Sequence, residues 1–380
     1  MTPEKIGKIL LIQPRHIYAP PASEKSLGHI YLPNSLLAAA AIFLSIGVQV
    51  EFADENLEVS NLAHNIVGIN LLGAPYIPIA KELEKRLNDK YGTDFYLLLG
   101  GQIINGLTVN DMASLFSPMV LDGNSTLTIS KLFGVDEHKI PKIEDISMQP
   151  AYNLLSDQDL KSYLKNEFSF YLSQGCMHSC SFCAAKRSII FEELNIKERI
   201  SEVYRNVKIA LEDYEYLLNK AIKFNISKIQ IYLSNLDLFQ NPDKLKSFAE
   251  GVIQANAKFP SISVGMRGLC TSRSFLKTHR SQPSVISLMV KAGLYQLGFG
   301  IDGATPKVYT LTRKPQTVKE SLDAIRISRE VYNINPEILM VFGHNNKEDE
   351  ESLRLAVKFC NCLDNTFCKR FKFIWILEQV

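Results

Sequence analysis

Short apolar runs alternate with helix-length amphipathic runs along nearly the whole chain, and this alternation limits the fold more than any other feature. In the first part the runs are Lys8 to Gln13, Val48 to Ala53, Ile66 to Asn70, Phe95 to Leu99 and Met119 to Leu121. Helical patterns lie between them, from Asn34 to Ile46, about Pro78 to Asn88, Thr108 to Phe116 and Thr126 to Phe133. Strands this uniformly apolar have both faces covered, which implies a parallel sheet with helices on either side. The pattern predicts a Rossmann-like, doubly wound α/β domain over residues 1–134. Such domains bind ligands beyond the C-terminal ends of their strands. Those ends fall at Gln13-Pro14, Asp54-Glu55, Asn70 to Gly73, Gly100-Gly101-Gln102 and Asp122-Gly123. Gly73, Gly100, Gly101, Gln102, Asp122 and Gly123 are therefore candidate ligand contacts, because glycine lets a ligand approach the backbone. The plainer reading of Gly100-Gly101 is that it only turns the chain. No Gly-x-Gly-x-x-Gly follows the first strand, which argues against a nicotinamide or flavin dinucleotide.

Between Gly134 and Glu167 the pattern loosens, and Pro141, Pro150 and the charged run between them predict a linker over 135–167. From Phe168 the alternation resumes. Runs from Phe168 to Leu172, Lys228 to Leu233, Ile262 to Met266, Tyr295 to Ile301, Glu337 to Phe342 and Phe371 to Leu377 are separated by helical patterns. Six such units predict a partial (βα)6 TIM-like barrel over 168–380, with chemistry at the C-terminal ends of its strands. The stretch Ile189 to Arg205 reads as an insertion.

The loop after the first barrel strand is Gln174-Gly175-Cys176-Met177-His178-Ser179-Cys180-Ser181-Phe182-Cys183-Ala184. Three of the seven cysteines fall here, spaced Cys-x-x-x-Cys-x-x-Cys. Three thiolates on one tight loop suit three corners of a cubane iron–sulfur cluster and leave its fourth iron open to a small molecule. Two alternatives stay open. A structural zinc ion could take His178 as its fourth ligand, although zinc sets usually come as two pairs and no second Cys-x-x-Cys exists. The cysteines could also be plain core residues. His178 reads as a loop residue facing solvent or substrate. Cys360, Cys362 and Cys368 read as packing residues, and Cys270 falls just after the third barrel strand.

Composition narrows the partners. With 42 basic and 40 acidic residues the formal net charge is +2, so charge gives no reason to expect nucleic acid. Met1 to Ile12 lacks the form of a signal peptide, and the longest apolar segment, Ser35 to Val50, is shorter than the roughly 20 residues of a membrane span. No membrane span and a reducing, cytoplasmic location are expected, with the cysteines free or metal-bound.

Cys176, Cys180 and Cys183, with Phe182 before the last of them, resemble the radical S-adenosylmethionine (SAM) signature. The likeness continues through the barrel. Leu288 to Gly303, LMVKAGLYQLGFGIDG, is similar to the fourth-strand segment of the cobalamin-type subgroup, with Gly300-Ile301-Asp302-Gly303 where that subgroup has Gly-Ile-Glu-Ser. Met340 to Glu351, MVFGHNNKEDEE, resembles the fifth-strand segment without its Pro-Gly. Ser234-Asn235, with Asp237 nearby, stands where many relatives have Gly-Gly-Glu or an acidic pair. Pro33 to Asp54 and Gly100-Gly101-Gln102 resemble the first helix, second strand and glycine pair of a cobalamin-binding domain. The Asp-x-His-x-x-Gly motif is absent and His16 does not match it, so any bound cobalamin is expected without a histidine below cobalt.

The resemblance implies a cobalamin-dependent radical SAM enzyme of the class B methyltransferase type. Cys176, Cys180 and Cys183 would hold a 4Fe-4S cluster whose open iron chelates SAM. Phe182 would pack on the adenine and Ala184 lie near its edge, while Asn235, Arg267 and Asp302, all read as strand-end residues, would contact the methionine and ribose parts. One electron from the cluster, supplied by a reductant such as flavodoxin or ferredoxin, would yield a 5′-deoxyadenosyl radical. Methylcobalamin held by the first domain would then methylate an unactivated carbon of a small-molecule or carrier-bound substrate. A cyclase or rearranging enzyme without methyl transfer, and a non-catalytic iron–sulfur protein, are the alternatives. An RNA-modifying methylthiotransferase fits less well, since no cysteine precedes Cys176 and no basic module follows the barrel. Only three residues follow the last expected strand, so the insertion, a partner or the substrate would have to close the barrel mouth.

Overall fold

The fold is described from a computed structural model, which describes residues 7–15, 32–55, 62–71, 73–101, 103–104, 107–178, 180–183, 202–344, 348–364 and 371–375. Residues up to Glu167 form one compact unit, and those from Phe168 form the greater part of another.

The first unit is a five-stranded parallel sheet of β1 (Lys8–Gln13), β2 (Gln49–Asp54), β3 (Ile66–Asn70), β4 (Tyr96–Gly100) and β5 (Val120–Asp122). Its order is β2-β1-β3-β4-β5, the flavodoxin-like form of the doubly wound fold. Helices α1 (Asn34–Ser45), α2 (Ile77–Tyr91) and α3 (Val109–Leu115) connect strands, and α4 (Thr126–Phe133) follows β5. Leu10, Ile12, Val67, Ile69, Leu97 and Leu99 form one core with Ala80, Leu83 and Leu87 of α2. Ile9 and Leu11 alternate to the other face of β1 and are equally buried, as are Leu37, Ala40 and Ala41 of α1. Each of these branched side chains contributes about 1.5–3 kcal/mol by leaving water. This explains why the strands read as continuous apolar runs.

The stretch expected to be a linker is folded. It carries α5 (Gln149–Tyr152) and α6 (Asp157–Lys165). Ser156 caps α6 by accepting from Asp159 N at 3.1 Å. Leu160, Tyr163 and Leu164 are buried, and the Tyr163 hydroxyl donates to Asp54 at the end of β2. Burial and the Asp54 carboxylate push the Tyr163 phenol far above its usual range, so it stays a donor.

The second unit contains a six-stranded sheet in chain order: β6 (Glu167–Phe170), β9 (Lys228–Leu233), β10 (Ser263–Cys270), β11 (Leu294–Gly300), β12 (Asn335–Phe342) and β13 (Phe371–Trp375). A two-residue antiparallel pair, β7 (Ser173–Gln174) and β8 (Val203–Tyr204), brackets the stretch of chain that begins with the cysteine loop. The helices are α7 (Val207–Lys223), α8 (Pro242–Lys258), α9 (Ser272–Ser281), α10 (Pro283–Ala292), α11 (Pro306–Thr312), α12 (Val318–Glu330) and α13 (Glu350–Asp364). Ile231, Met266, Phe299 and Met340 are fully buried on the helix-covered face of the sheet. The register puts Tyr232, Arg267 and Gln296 level on the opposite face, with Glu337 beside them. The Arg267 guanidinium lies 4.5 Å over the Tyr232 ring and 3.6 Å from Glu337, which also accepts from Gln296 at 2.9 Å. Among the described residues, no helix is long and apolar enough to cross a membrane.

Candidate functional site

The cysteine loop leaves β6 through Tyr171 and Leu172 and is tied down at several points. Met177 N donates to Gln240 Oε1 at 2.6 Å. Ser181 N donates to Thr312 O at 2.9 Å and its hydroxyl to Leu311 O at 3.3 Å, which uses carbonyls left open at the end of α11. Cys183 N closes a turn on Cys180 O at 3.2 Å. The loop is therefore held to the segment after β9 and to the end of α11 rather than hanging free.

Cys180 is buried, while Cys176 and Cys183 are half-buried. Burial pushes the Cys176 thiol up to about 12, with Asp237 and the other two thiols adding to the shift against the backbone N–H of His178. Burial also raises Cys180, opposed by the Lys314 ammonium. The three thiols are thus close enough to feel one another. Among the described residues, no trio of His, Cys, Asp or Glu converges on one point as the ligands of a single ion would. A cubane presents separate irons to separate thiolates, so its ligands need not converge. The donor set, its shared loop and its protection from water fit such a cluster.

Charge is divided across the loop. Asp237 acts on Cys176, and Asn235 and Glu202 gather at Ser173, three residues before it in the chain. Asp237 is fully buried and accepts from Ser274 Oγ at 2.6 Å and Thr271 Oγ1 at 2.8 Å. His178 Nε2 stands 3.3 Å from Asp237 Oδ2, close but not aligned as a hydrogen bond. His178 is therefore turned toward a buried carboxylate, not toward solvent, because that charge needs a neighbour. Asn235 is 1% exposed; its Nδ2 donates to Ser173 Oγ at 2.6 Å and reaches Glu202 Oε1 at 3.4 Å. Among the described residues, Asn235 Oδ1 and Glu202 Oε2 are buried acceptors without a hydrogen-bond partner. Leaving such groups unmatched costs about 1–3 kcal/mol each. Burial holds the Glu202 carboxyl above its usual range, although Ser173 and Asn235 pull it down.

On the Cys180 side stands Lys314, whose Nζ lies 2.5 Å from Asp302 Oδ2 as a contact of opposite charges. Both side chains are buried. Burial alone would lower the Lys314 pKa, but the Asp302 carboxylate and Cys180 outweigh it and hold the ammonium above its ordinary range. Gly300 makes room: a Cβ there would lie 2.8 Å from Lys314 Nζ. Gln316 Nε2 fixes the same turn by donating to Gly300 O at 2.9 Å.

Several expected residues take other places. Phe182 packs against His344 with ring centroids 5.1 Å apart, joining the loop to the end of β12. Arg267 and Cys270 belong inside β10, which runs four residues beyond the expected Met266. Arg267 therefore lies within the sheet, engaged with Tyr232 and Glu337, and not at the strand end where a SAM contact was expected. Ala184 and most of the insertion, including Ile189, lie outside the described residues, as do Gln102 and His16. Glu202 and Lys314 were missed. Glu202 sits in a segment with no motif, and Lys314 follows Arg313, whose φ of 53° marks the end of α11.

In the first unit, Gly73, Gly100, Gly101, Asp122 and Gly123 do fall at strand ends. Gly101 has φ of 106°, and a Cβ there would lie 2.4 Å from Leu71 O. Its N–H donates to Asn124 Oδ1 at 3.2 Å, and Asn124 Nδ2 donates to Gly101 O at 3.0 Å. Gly101 is thus required by the protein's own packing. The sheet order reverses between β1 and β3, where doubly wound folds bind ligands. A cavity of about 270 Å³ there is lined by Ile12, Pro14, Glu55, Ile69 and Arg86 among others, and by none of the candidate glycines.

Comparison with known proteins bears on the family and the fold. Residues 170–356 match the model of the Radical SAM superfamily. The fold is similar to that of a cobalamin-dependent S-adenosylmethionine radical enzyme, OxsB, with aqua-cobalamin and S-adenosylmethionine bound, at a TM-score of 0.67 and 15% identity over 93% of this chain. The same enzyme with aqua-cobalamin alone gives 0.66 and 14%, again over 93% of this chain. The chain spans about half of that protein, 52%. No curated protein matches the sequence.

Proposed function

We propose, since this chain belongs to the radical SAM superfamily, that it cleaves SAM reductively at a 4Fe-4S cluster for cobalamin-dependent methylation of an unactivated carbon. The observation that carries the SAM-binding part is the division of charge across the cysteine loop. An α-amino acid has an amino group with N–H donors and a carboxylate, and the loop offers acceptors on one side and an ammonium on the other. Asn235 Oδ1 and Glu202 Oε2 would accept from the amino group. Lys314, steadied by Asp302, would pair with the carboxylate. Phe182 and His344 offer aromatic surface to the adenine.

Cys176, Cys180 and Cys183 would hold the cluster, and Asp237 would orient the loop through His178. When bound, the cluster supplies the electron that opens the sulfonium to a 5′-deoxyadenosyl radical, and methylcobalamin supplies the methyl group. The protein contributes orientation and exclusion of water. Support for cobalamin is the flavodoxin-like order of the first sheet and its likeness in fold to the cobalamin-dependent enzyme. Gly73, Gly100, Asp122 and Gly123 at the strand ends are the proposed contacts there. Cys270, Cys360 and the Arg267–Glu337 pair serve packing.

Anaerobic reconstitution with iron, sulfide and hydroxocobalamin tests the cofactor set. Retention of both the cluster and about one cobalamin per chain after gel filtration is expected. Retention of the cluster without cobalamin rules out the methyltransferase reading and leaves the radical one standing.

A further inference from the structure

Helix α9 starts where β10 ends and carries a basic stripe. Phe275, Leu276 and Thr278 face inward and are buried, while Arg273, Lys277 and Arg280 are exposed. Steps of four and three residues put those cations on one face. With Ser281 and Glu320 they line an open groove of about 430 Å³. Arg273 is engaged, donating to both oxygens of Glu320 at 2.9 and 3.0 Å. Among the described residues, the side chains of Lys277 and Arg280 have no acidic partner. In a chain whose charges nearly cancel, this is a local excess of positive charge.

The inner side of the same helix touches the cysteine loop through one carboxylate. Thr271, which caps α9, and Ser274 in its first turn both donate to Asp237, and Asp237 meets His178 between Cys176 and Cys180. The stripe therefore lies on the outer face of an element whose buried face supports the loop.

We propose that the Arg273–Lys277–Arg280 face of α9 is the docking surface for an acidic one-electron carrier protein that reduces the cluster; this rests on the radical SAM reading above. In the step, one electron leaves the carrier, which is oxidised, and enters the cluster, which is reduced; no bond or proton changes hands. A carrier must leave after each turnover, so a small polar interface held by exposed charges suits it better than an apolar one. Exposed charges act mainly on encounter rate and salt dependence. Nucleic acid would use the same cations, and the test includes it.

The variant is Lys277→Glu with Arg280→Glu, which spares the Arg273–Glu320 pair. Purified flavodoxin and ferredoxin are titrated against the reconstituted protein at low and high salt, and 5′-deoxyadenosine is measured with the reduced carrier and, separately, with dithionite. Carrier affinity and the carrier-driven rate should fall by at least about tenfold at low salt, through the KM for carrier. The dithionite-driven rate should hold, and Lys277→Gln with Arg280→Gln should show a smaller loss. Unchanged carrier affinity overturns the proposal, as does an equal fall under both reductants. Tight binding of an oligonucleotide that the variant abolishes, with carrier binding intact, assigns the stripe to nucleic acid instead. Failure of the wild type to cleave SAM even with dithionite refutes the radical reading, while the carrier titration still decides the docking surface.

Discussion

Glu202→Gln separates a residue that braces the fold from one that receives a ligand. Glu202 Oε1 accepts from Ser173, and Oε2 has no partner among the described residues. Burial raises the folded pKa of this carboxyl above its unfolded value. A group raised in this way contributes stability in full only below the unfolded value, about 4.3 for Glu. That stability is lost as pH rises through the folded value. Above the unfolded value the wild type therefore loses stability that Gln, which does not ionise, keeps, and Gln retains an acceptor for Ser173. Without ligands, the variant should be at least as stable as the wild type at pH 8, and the difference should shrink toward pH 5. SAM affinity should move the other way. A hydrogen bond to a charged group contributes about 1.5–3 kcal/mol, so binding should weaken by about 10- to 150-fold. Denaturant unfolding of the unloaded protein at both pH values and calorimetric SAM titration of the reconstituted protein read the two effects. A variant destabilised at pH 8 that still binds SAM normally refutes the assignment and makes Glu202 a structural brace.

Three further outcomes follow from the same geometry. Lys314→Met leaves Asp302 buried without its partner and should cost about 3–5 kcal/mol in urea unfolding; adding Asp302→Asn should recover much of that stability without restoring SAM affinity. Gly101→Ala forces a Cβ against Leu71 O at a φ of 106° and should destabilise the first unit by about 1–3 kcal/mol, while the barrel still takes up iron. Iron uptake should rise from pH 7 to pH 9, because Cys176 and Cys180 are held protonated by burial and must lose protons to ligate; iron analysis at each pH checks the direction.

Both sheets and the cysteine loop were legible in the sequence, and the reasons are physical. Strands covered on both faces, such as β1 with its unbroken run Ile9 to Ile12, stand out. The apolar run stops at Met266 because the second half of β10 opens with Arg267 and Gly268, whose polar or absent side chains interrupt it. Helix α6 reads as linker because only Leu160, Tyr163 and Leu164 are apolar, although their spacing and the Ser156 cap are helix signals. The cysteines announced themselves by spacing, but their surroundings did not. Asp237, Glu202 and Lys314 reach the loop from three separate segments, and only the folded sheet brings them together.

The most direct test of the account is 5′-deoxyadenosine formation by the anaerobically reconstituted protein with SAM and dithionite. The wild type is expected to hold about four irons and to form 5′-deoxyadenosine, and Cys180→Ala to form none. A wild type that holds its cluster and forms no 5′-deoxyadenosine, or a Cys180→Ala variant that still forms it, contradicts the account.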